Sequence, residues 1–322
     1  MREPTILDSF DLADNVFPEV LLTGNGPCMS CHKESTKVLM KEILSRFRKE
    51  NNGLTYKDIE CLPFPMQVVA ASNDHVSAAC EVIKEKMLSL EYYKKDDIFK
   101  SLLNINTDAI LTTNYSYDYE MVLDKDFFNH SVRYEAITSA CSRYKTGRNK
   151  GKYYRESKEQ LHSFYRFDMP SGHKNIWHIH GEAKNKNSIV LGHYYYSSLL
   201  ASYIEENKKY KDRWKNAEDM VLSPKSWVDY FIFGNVYILG FSMDFGEYDL
   251  WWLLNRKKRE VNRPHGKTVF FVNDLEEISW EKRRMLSAYG VEIFSTDETE
   301  FDKHYDICIQ HIKNNDFWND VV

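Results

Sequence analysis

Seven short apolar runs, most of them closing on glycine or a small polar residue, constrain this chain more than any other feature. They read EVLLTG (19–24), DAILTTN (108–114), IWHIHG (176–181), SIVLG (188–192), VYILGFS (236–242), KTVFFVND (267–274) and VEIFS (291–295). Short runs of this kind, bounded by turn residues, suit strands buried on both faces of a parallel sheet. Amphipathic stretches separate them. STKVLMKEILSRFRKE (35–50) places Leu39, Ile43, Leu44 and Phe47 at helical spacing, and EYDLWWLLNRKKRE (247–260) and FDKHYDICIQHIKN (301–314) are patterned alike. Strand and helix alternate, so the expected class is α/β, a doubly wound and mainly parallel sheet flanked by helices.

The 322 residues fit one Rossmann-like domain over 1–322, and 43% hydrophobic residues are enough for a sizeable core. Two segments, 32–104 and 120–175, are too long for simple crossovers and read as helical insertions or a lid. The second holds YKTGRNKGKYYRESKEQ (144–160), a charged, tyrosine-rich surface loop or lid. The net charge of −5 argues against broad nucleic-acid binding, which needs a basic surface. No run reaches the length of a membrane span. The opening MREPTILDSFDLADN lacks the regions of a signal peptide, so the expectation is a cytoplasmic chain with reduced thiols. Of six cysteines (Cys28, Cys31, Cys61, Cys80, Cys141 and Cys308), only Cys28 and Cys31 form a CxxC, and no second pair completes a zinc site.

In an open α/β sheet, ligands bind beyond the carboxyl ends of the strands. Here those ends are where polar residues gather. Thr23–Gly26 (TGNG) allows a tight turn and close approach of backbone amides to a phosphate, although ordinary turns use the same pattern. Asn114 sits at the tip of an apolar run, which suits a ligand contact or a turn. His178 and His180 alternate, which is strand spacing and turns both rings to one face. A metal pair, a catalytic base, a pocket wall and plain hydrogen-bonded strand residues all fit that pattern. A metal needs a third or fourth ligand. No acidic–histidine cluster stands near in sequence, and His193, a possible third ligand from another strand end, reads better as a pocket or surface residue, so no metal is expected. GFSMD (240–244) and VND (272–274) complete the set of strand ends.

Taken together, the motifs resemble the sirtuin superfamily. The closer resemblance is to the sirtuin-like NAD-hydrolysing domains of bacterial antiphage defence. Gly24-Asn25-Gly26 stands where sirtuins have a glycine-alanine-glycine phosphate loop. Thr112-Thr113-Asn114-Tyr115 stands at their T-x-N motif, and His180-Gly181 at their catalytic His-Gly. Gly240-Phe241-Ser242 matches a glycine-x-serine loop near the cofactor ribose, and Val272-Asn273 a later valine-asparagine beside the adenosine. The order holds across residues 19–274. Two departures stand out. No cysteine lies between Gly181 and Gly240, so the zinc module of the protein deacylases is missing. Where the family often has an aspartate after the T-x-N-Tyr motif, this chain has Ser116, with Asp118 two residues on.

The resemblance implies cleavage of the nicotinamide–ribose bond of NAD, here a substrate. It makes His180 the general base, with His178 as a supporting neighbour, and Asn114 the residue that orients water or ribose. It places Gly24, Asn25 and Gly26 at the pyrophosphate and makes Thr113 a further cofactor-binding residue. Gly240, Ser242 and Asn273 fall at the adenosine ribose. Asp244 and Asp249 read as capping at a helix start. Tyr194, Tyr195 and Tyr196 read as packing or pocket wall, and Trp251 and Trp252 as helix packing. The implied role is an NAD+ glycohydrolase that acts in antiphage defence by NAD depletion. A homo-oligomer, or a sensor or ATPase partner, is expected to switch it. A non-catalytic NAD or ADP-ribose sensor and a protein deacylase are the alternatives.

Overall fold

The computed structural model describes residues 7–32, 36–93, 97–128, 135–136, 161–169, 172–214, 220–261 and 263–314. Its strands are β1 Phe10–Asp11, β2 Glu19–Thr23, β3 Ala109–Thr112, β4 Glu135–Ala136, β5 Ser163–Met169, β6 Gly172–His178, β7 Val221–Leu222, β8 Asn235–Leu239, β9 Thr268–Val272 and β10 Val291–Ser295. The helices between β2 and β3 are α1 Gly26–His32, α2 Thr36–Arg46, α3 Tyr56–Ile59, α4 Phe64–Ser72, α5 Val76–Met87 and α6 Asp97–Leu103. They are followed by α7 Asp118–Leu123, α8 His193–Trp214, α9 Trp227–Phe233, α10 Tyr248–Lys258, α11 Trp280–Ala288 and α12 Phe301–Asn314.

Strands β1 and β7 form a separate antiparallel pair. The other eight form one sheet in the order β10-β9-β8-β2-β3-β6-β5-β4. From β10 to β6 all neighbours are parallel, and β5 and β4 extend that edge antiparallel. The first parallel strand in the chain, β2, therefore lies between the second, β3, and the fourth, β8. This is the doubly wound Rossmann-like arrangement, and the strand order reverses between β2 and β8.

Alternation along each strand feeds two cores. Leu21, Ile110, Ile176, Tyr237 and Phe271 face one core, with α2, α4, α5, α6 and α12. Val20, Leu111, Trp177, Ile238 and Phe270 face the other, with α8, α9, α10 and α11. A strand covered on both faces must be apolar at every position, which is why these runs read as continuous. Each fully buried large apolar side chain contributes about 1.5–3 kcal/mol. Among the described residues no helix is long and apolar enough to cross a membrane.

Two expectations need correction. Ser188–Gly192 is no strand; a 3-10 turn over Lys186–Ser188 leads into an extended loop. Its Ile189, Val190 and Leu191 are buried, so the run is as apolar as a strand. Among the described residues it pairs with no strand; the Val190 amide donates to the His180 carbonyl at 2.8 Å and the Tyr115 hydroxyl to the Val190 carbonyl at 2.9 Å. The segment 120–175, expected to be helical, carries β4, β5 and the start of β6. The basic run 144–160 and Cys141 lie outside the described residues.

Candidate active site

A cleft of about 650 Å³ opens at the carboxyl ends of the parallel strands, where the strand order reverses. Asn25, Gly26, Thr113, Asn114, His180, Gly240, Ser242 and Asn273 all line it. The turns after β2 and β8 meet there, and they meet closely. A Cβ at Gly26 would stand 2.5 Å from the Tyr305 hydroxyl and 2.6 Å from the Gly240 Cα. A Cβ at Gly24 would strike the Phe241 ring. The Gly26 amide donates to the Gly240 carbonyl at 2.7 Å. These glycines are therefore demanded by the contact between two turns. Only Asn25 and Gly26 of the expected phosphate loop line the cleft, and the Gly26 amide already has a partner.

Asn114 follows the last residue of β3 by two positions. Its Nδ2 donates to the Gly24 carbonyl at 2.9 Å and lies 3.3 Å from the Cys28 sulfur. Its main-chain amide donates to Thr112 Oγ1 at 3.1 Å. An amide offers two donor hydrogens and one acceptor oxygen. Both hydrogens have partners and Asn114 lines the cleft, so its oxygen is the side-chain atom left for a ligand. Thr113 is tied by its amide to the Thr23 carbonyl at 3.1 Å. Asp118 is buried; Ser116 Oγ donates to its carboxylate and the Cys28 thiol lies 3.5 Å away.

His180 is 2% exposed and stands between two carboxylates. Its Nε2 is 3.0 Å from Asp249 Oδ2, and its Nδ1 is 3.8 Å from Glu247 Oε2. A tyrosine holds each acid from behind: Tyr203 donates to Asp249 at 3.1 Å and Tyr196 to Glu247 at 3.0 Å. Burial pulls the imidazole pKa down, but Asp249 and then Glu247 outweigh it and raise it above the ordinary value. Burial pushes the Glu247 carboxyl up, against the pull of His180, to about 7.

Asp249 was expected only as a helix cap. It does lie in the first turn of α10, but it is fully buried and grips His180. One sequence signal pointed to it: Asp249, Leu253 and Lys257 share a helical stripe with buried leucines, and an acid on such a stripe needs a buried partner. The sequence holds no acidic–histidine cluster near His178 and His180, but the fold brings two distant acids to His180. His180, Glu247 and Asp249 offer ligand atoms within 4.8 Å of one another. The 3.0 Å contact of Nε2 with Asp249 orients the ring as a carboxylate orients a catalytic histidine, and Nδ1, 3.8 Å from Glu247, is the nitrogen left to take a proton.

His178 does not share its surroundings with His180. Strand β6 ends at His178, and the chain turns through Gly181 at φ +87°. His178 Nδ1 lies 2.9 Å from the Asn114 carbonyl and Nε2 lies 2.9 Å from Glu120 Oε1. His193 is exposed and reaches only Tyr248, at 3.3 Å. Of the three adjacent tyrosines, Tyr196 is buried beside His180, while Tyr194 is 69% exposed. At the far end of the cleft, Lys282 Nζ donates to the Ser242 carbonyl at 3.0 Å. The Asn273 carbonyl accepts from the Ser295 hydroxyl at 3.3 Å. Asp274 and Glu277 line the same end. The residues that sequence reasoning missed are Glu120, Glu247 and Tyr305.

No family model matches the chain, and no curated protein matches it.

Proposed function

We propose that the protein is an NAD+ glycohydrolase, releasing nicotinamide and leaving ADP-ribose. One observation carries this reading. At the reversal point of a doubly wound sheet, an asparagine oxygen and a carboxylate-held histidine line one cleft large enough for a dinucleotide. The motif resemblance to sirtuin-like NAD-hydrolysing domains supports it.

In the proposed reaction the bond between the ribose anomeric carbon and the nicotinamide nitrogen breaks, and the pair of electrons leaves with nicotinamide. Positive charge develops on the ribose. The Asn114 oxygen accepts a hydrogen bond from the attacking water or from a ribose hydroxyl. Water adds to the anomeric carbon, and its proton passes to His180, directly or through that hydroxyl. Asp249 and Glu247 stabilise the imidazolium that results, as an orienting carboxylate does for a catalytic histidine. Their negative charge also favours a cationic transition state. Asn25 and Gly26 would face the diphosphate, and Ser242 and Asn273 the adenosine ribose.

The same resemblance supports a role in antiphage defence by NAD depletion. Such an activity must be held off until needed, so a homo-oligomer or a sensor or ATPase partner is proposed as its switch. Chromatographic measurement of nicotinamide release tests the chemistry. Wild type, once assembled or joined by its partner, is expected to consume NAD, and Asn114→Ala and His180→Ala to lose turnover while folded. A second reading, a non-catalytic NAD or ADP-ribose sensor, has one observation in its favour: His180 is nearly sealed and both of its nitrogens face acids. Binding of NAD that stays intact through long incubation would decide for the sensor.

A further inference from the structure

A second buried histidine–carboxylate pair stands directly behind Asn114. The His178 side chain is 4% exposed and that of Glu120 is fully buried. Nδ1 meets the Asn114 carbonyl and Nε2 meets Glu120, each at 2.9 Å. A carbonyl and a carboxylate are both acceptors. Hydrogens on both ring nitrogens, an imidazolium, satisfy both contacts at once. Glu120 reaches it from α7. The Tyr117 and Tyr165 rings flank it at 5.3 and 5.9 Å. Both phenols donate to Glu182, at 2.7 and 2.5 Å. Lys184 Nζ stands 5.6 Å from the Tyr117 ring centre, beyond it. Burial pulls the ring's pKa down, but Glu120 above all, then Glu182 and the Asn114 carbonyl, hold it up at about 9.

We propose that Glu120 and His178 form a positioning device that clamps the Asn114 main chain and so aims its side-chain oxygen into the cleft. The clamp holds the Asn114 main-chain carbonyl and the Gly24 carbonyl holds its side-chain Nδ2, so the residue is fixed at both ends. Deprotonation of either ring nitrogen sets two acceptors against each other and releases one end. That this aim serves turnover rests on the glycohydrolase reading; the clamp itself does not.

The test compares the full-length protein with His178→Gln and with Glu120→Gln, which keeps the shape of the acid. Turnover is followed from about pH 6 to about pH 10, spanning the histidine range. Exchange of the Asn114 side-chain amide hydrogens is followed by NMR, with the resonance assigned from Asn114→Asp. His178→Gln is expected to lower kcat by about tenfold to a hundredfold, as small misplacements of reacting groups do, with KM for NAD changed less than about threefold. The alkaline decline of kcat near pH 9 should disappear in it. With its main chain released, the Asn114 side chain should leave the Gly24 carbonyl more often, so its amide should exchange about tenfold faster or more in His178→Gln and also faster in Glu120→Gln. Unchanged exchange and unchanged kcat in the folded variants would overturn the proposal. If the wild type binds NAD but does not cleave it, amide exchange still decides the clamp, and the glycohydrolase reading alone falls.

Discussion

At the amino ends of the parallel strands, Glu19, Asp108, Asn235 and Lys257 reach one another or the main chain; at the carboxyl ends, Asn114, His180 and Ser242 line a cleft. The Glu19 amide donates to Asp108 Oδ2 at 2.7 Å, and Asn235 Nδ2 to Glu19 Oε1 at 2.8 Å. Lys257 is buried and donates to the Gly234 and Lys267 carbonyls. Both ends hold charged and amide residues within reach of a turn. At one end those groups complete the backbone hydrogen bonding of the sheet. At the other, some of their atoms are turned toward whatever enters the cleft. The difference is one of what each polar atom faces, and residue type alone does not reveal it.

The largest expected effect separates the two ends outright. His180→Gln should lower NAD turnover by about 10²–10⁴, the usual contribution of a general base. Lys257→Met should leave turnover per folded molecule unchanged. It strips two buried carbonyls of their donor and leaves Glu19 without a cation, which should cost about 2–4 kcal/mol in urea unfolding. A Lys257→Met protein that is stable but inactive would erase the distinction. Glycine pairs sharpen it. A Cβ at Gly266 would meet the Asn235 amide at 2.5 Å, as tight as the contact at Gly26. Gly26→Ala and Gly266→Ala should both destabilise, by about 1–3 kcal/mol for overpacking. Only Gly26→Ala, at the cleft, should also raise KM for NAD.

The ends also differ in how stability responds to alkali. His178 is held up at about 9 against an ordinary value of 6.5. Its stabilising contribution is full below pH 6.5 and is lost as pH rises through about 9. Burial instead drives Lys257 well below its ordinary value of 10.5, with Glu19 opposing. The folded state then binds fewer protons than the unfolded one, and stability rises with pH below 10.5. His178→Gln should therefore flatten the alkaline loss, a change of about 3 kcal/mol by linkage, and Lys257→Met should deepen it. Urea titrations across this range check both signs.

Much of the sheet was legible because each parallel strand is covered on both faces and so reads as an unbroken apolar run. The same rule misplaced a strand at Ser188–Gly192, since burial of Ile189 and Leu191 beside Gly181 needs apolar residues but no ladder. The cleft-lining residues Asn114, His180, Ser242 and Asn273 were found because polar residues at strand tips stand out against those runs. Glu247 and Asp249 were not, because a helix start explains an acid without any partner. Their role depends on α10 bringing them to His180, 67 and 69 residues away in sequence, which no local pattern encodes. The split between His178 and His180 was hidden for a related reason. Strand alternation was extended past His178, where the ladder stops.

The smallest expected effect concerns Glu247, the farther of the two acids on His180. Its carboxyl is pushed up to about 7 by burial, with Asp249 adding to the rise and His180 opposing it. As pH falls through 7 the acid takes a proton, and His180 loses one of the two charges that favour its imidazolium. Asp249, nearer at 3.0 Å, remains. Turnover of NAD should fall at low pH as His180, the base, takes a proton, and the loss of the Glu247 charge near 7 should change the rate by only about threefold to tenfold, because one distant charge is removed and the close one kept. Glu247→Gln should show that smaller change at every pH and an acid limb moved to lower pH, since one of the charges that raise His180 is gone. A Glu247→Gln enzyme with the wild-type limb intact would move the titrating group elsewhere and leave Asp249 as the sole acid tuning His180.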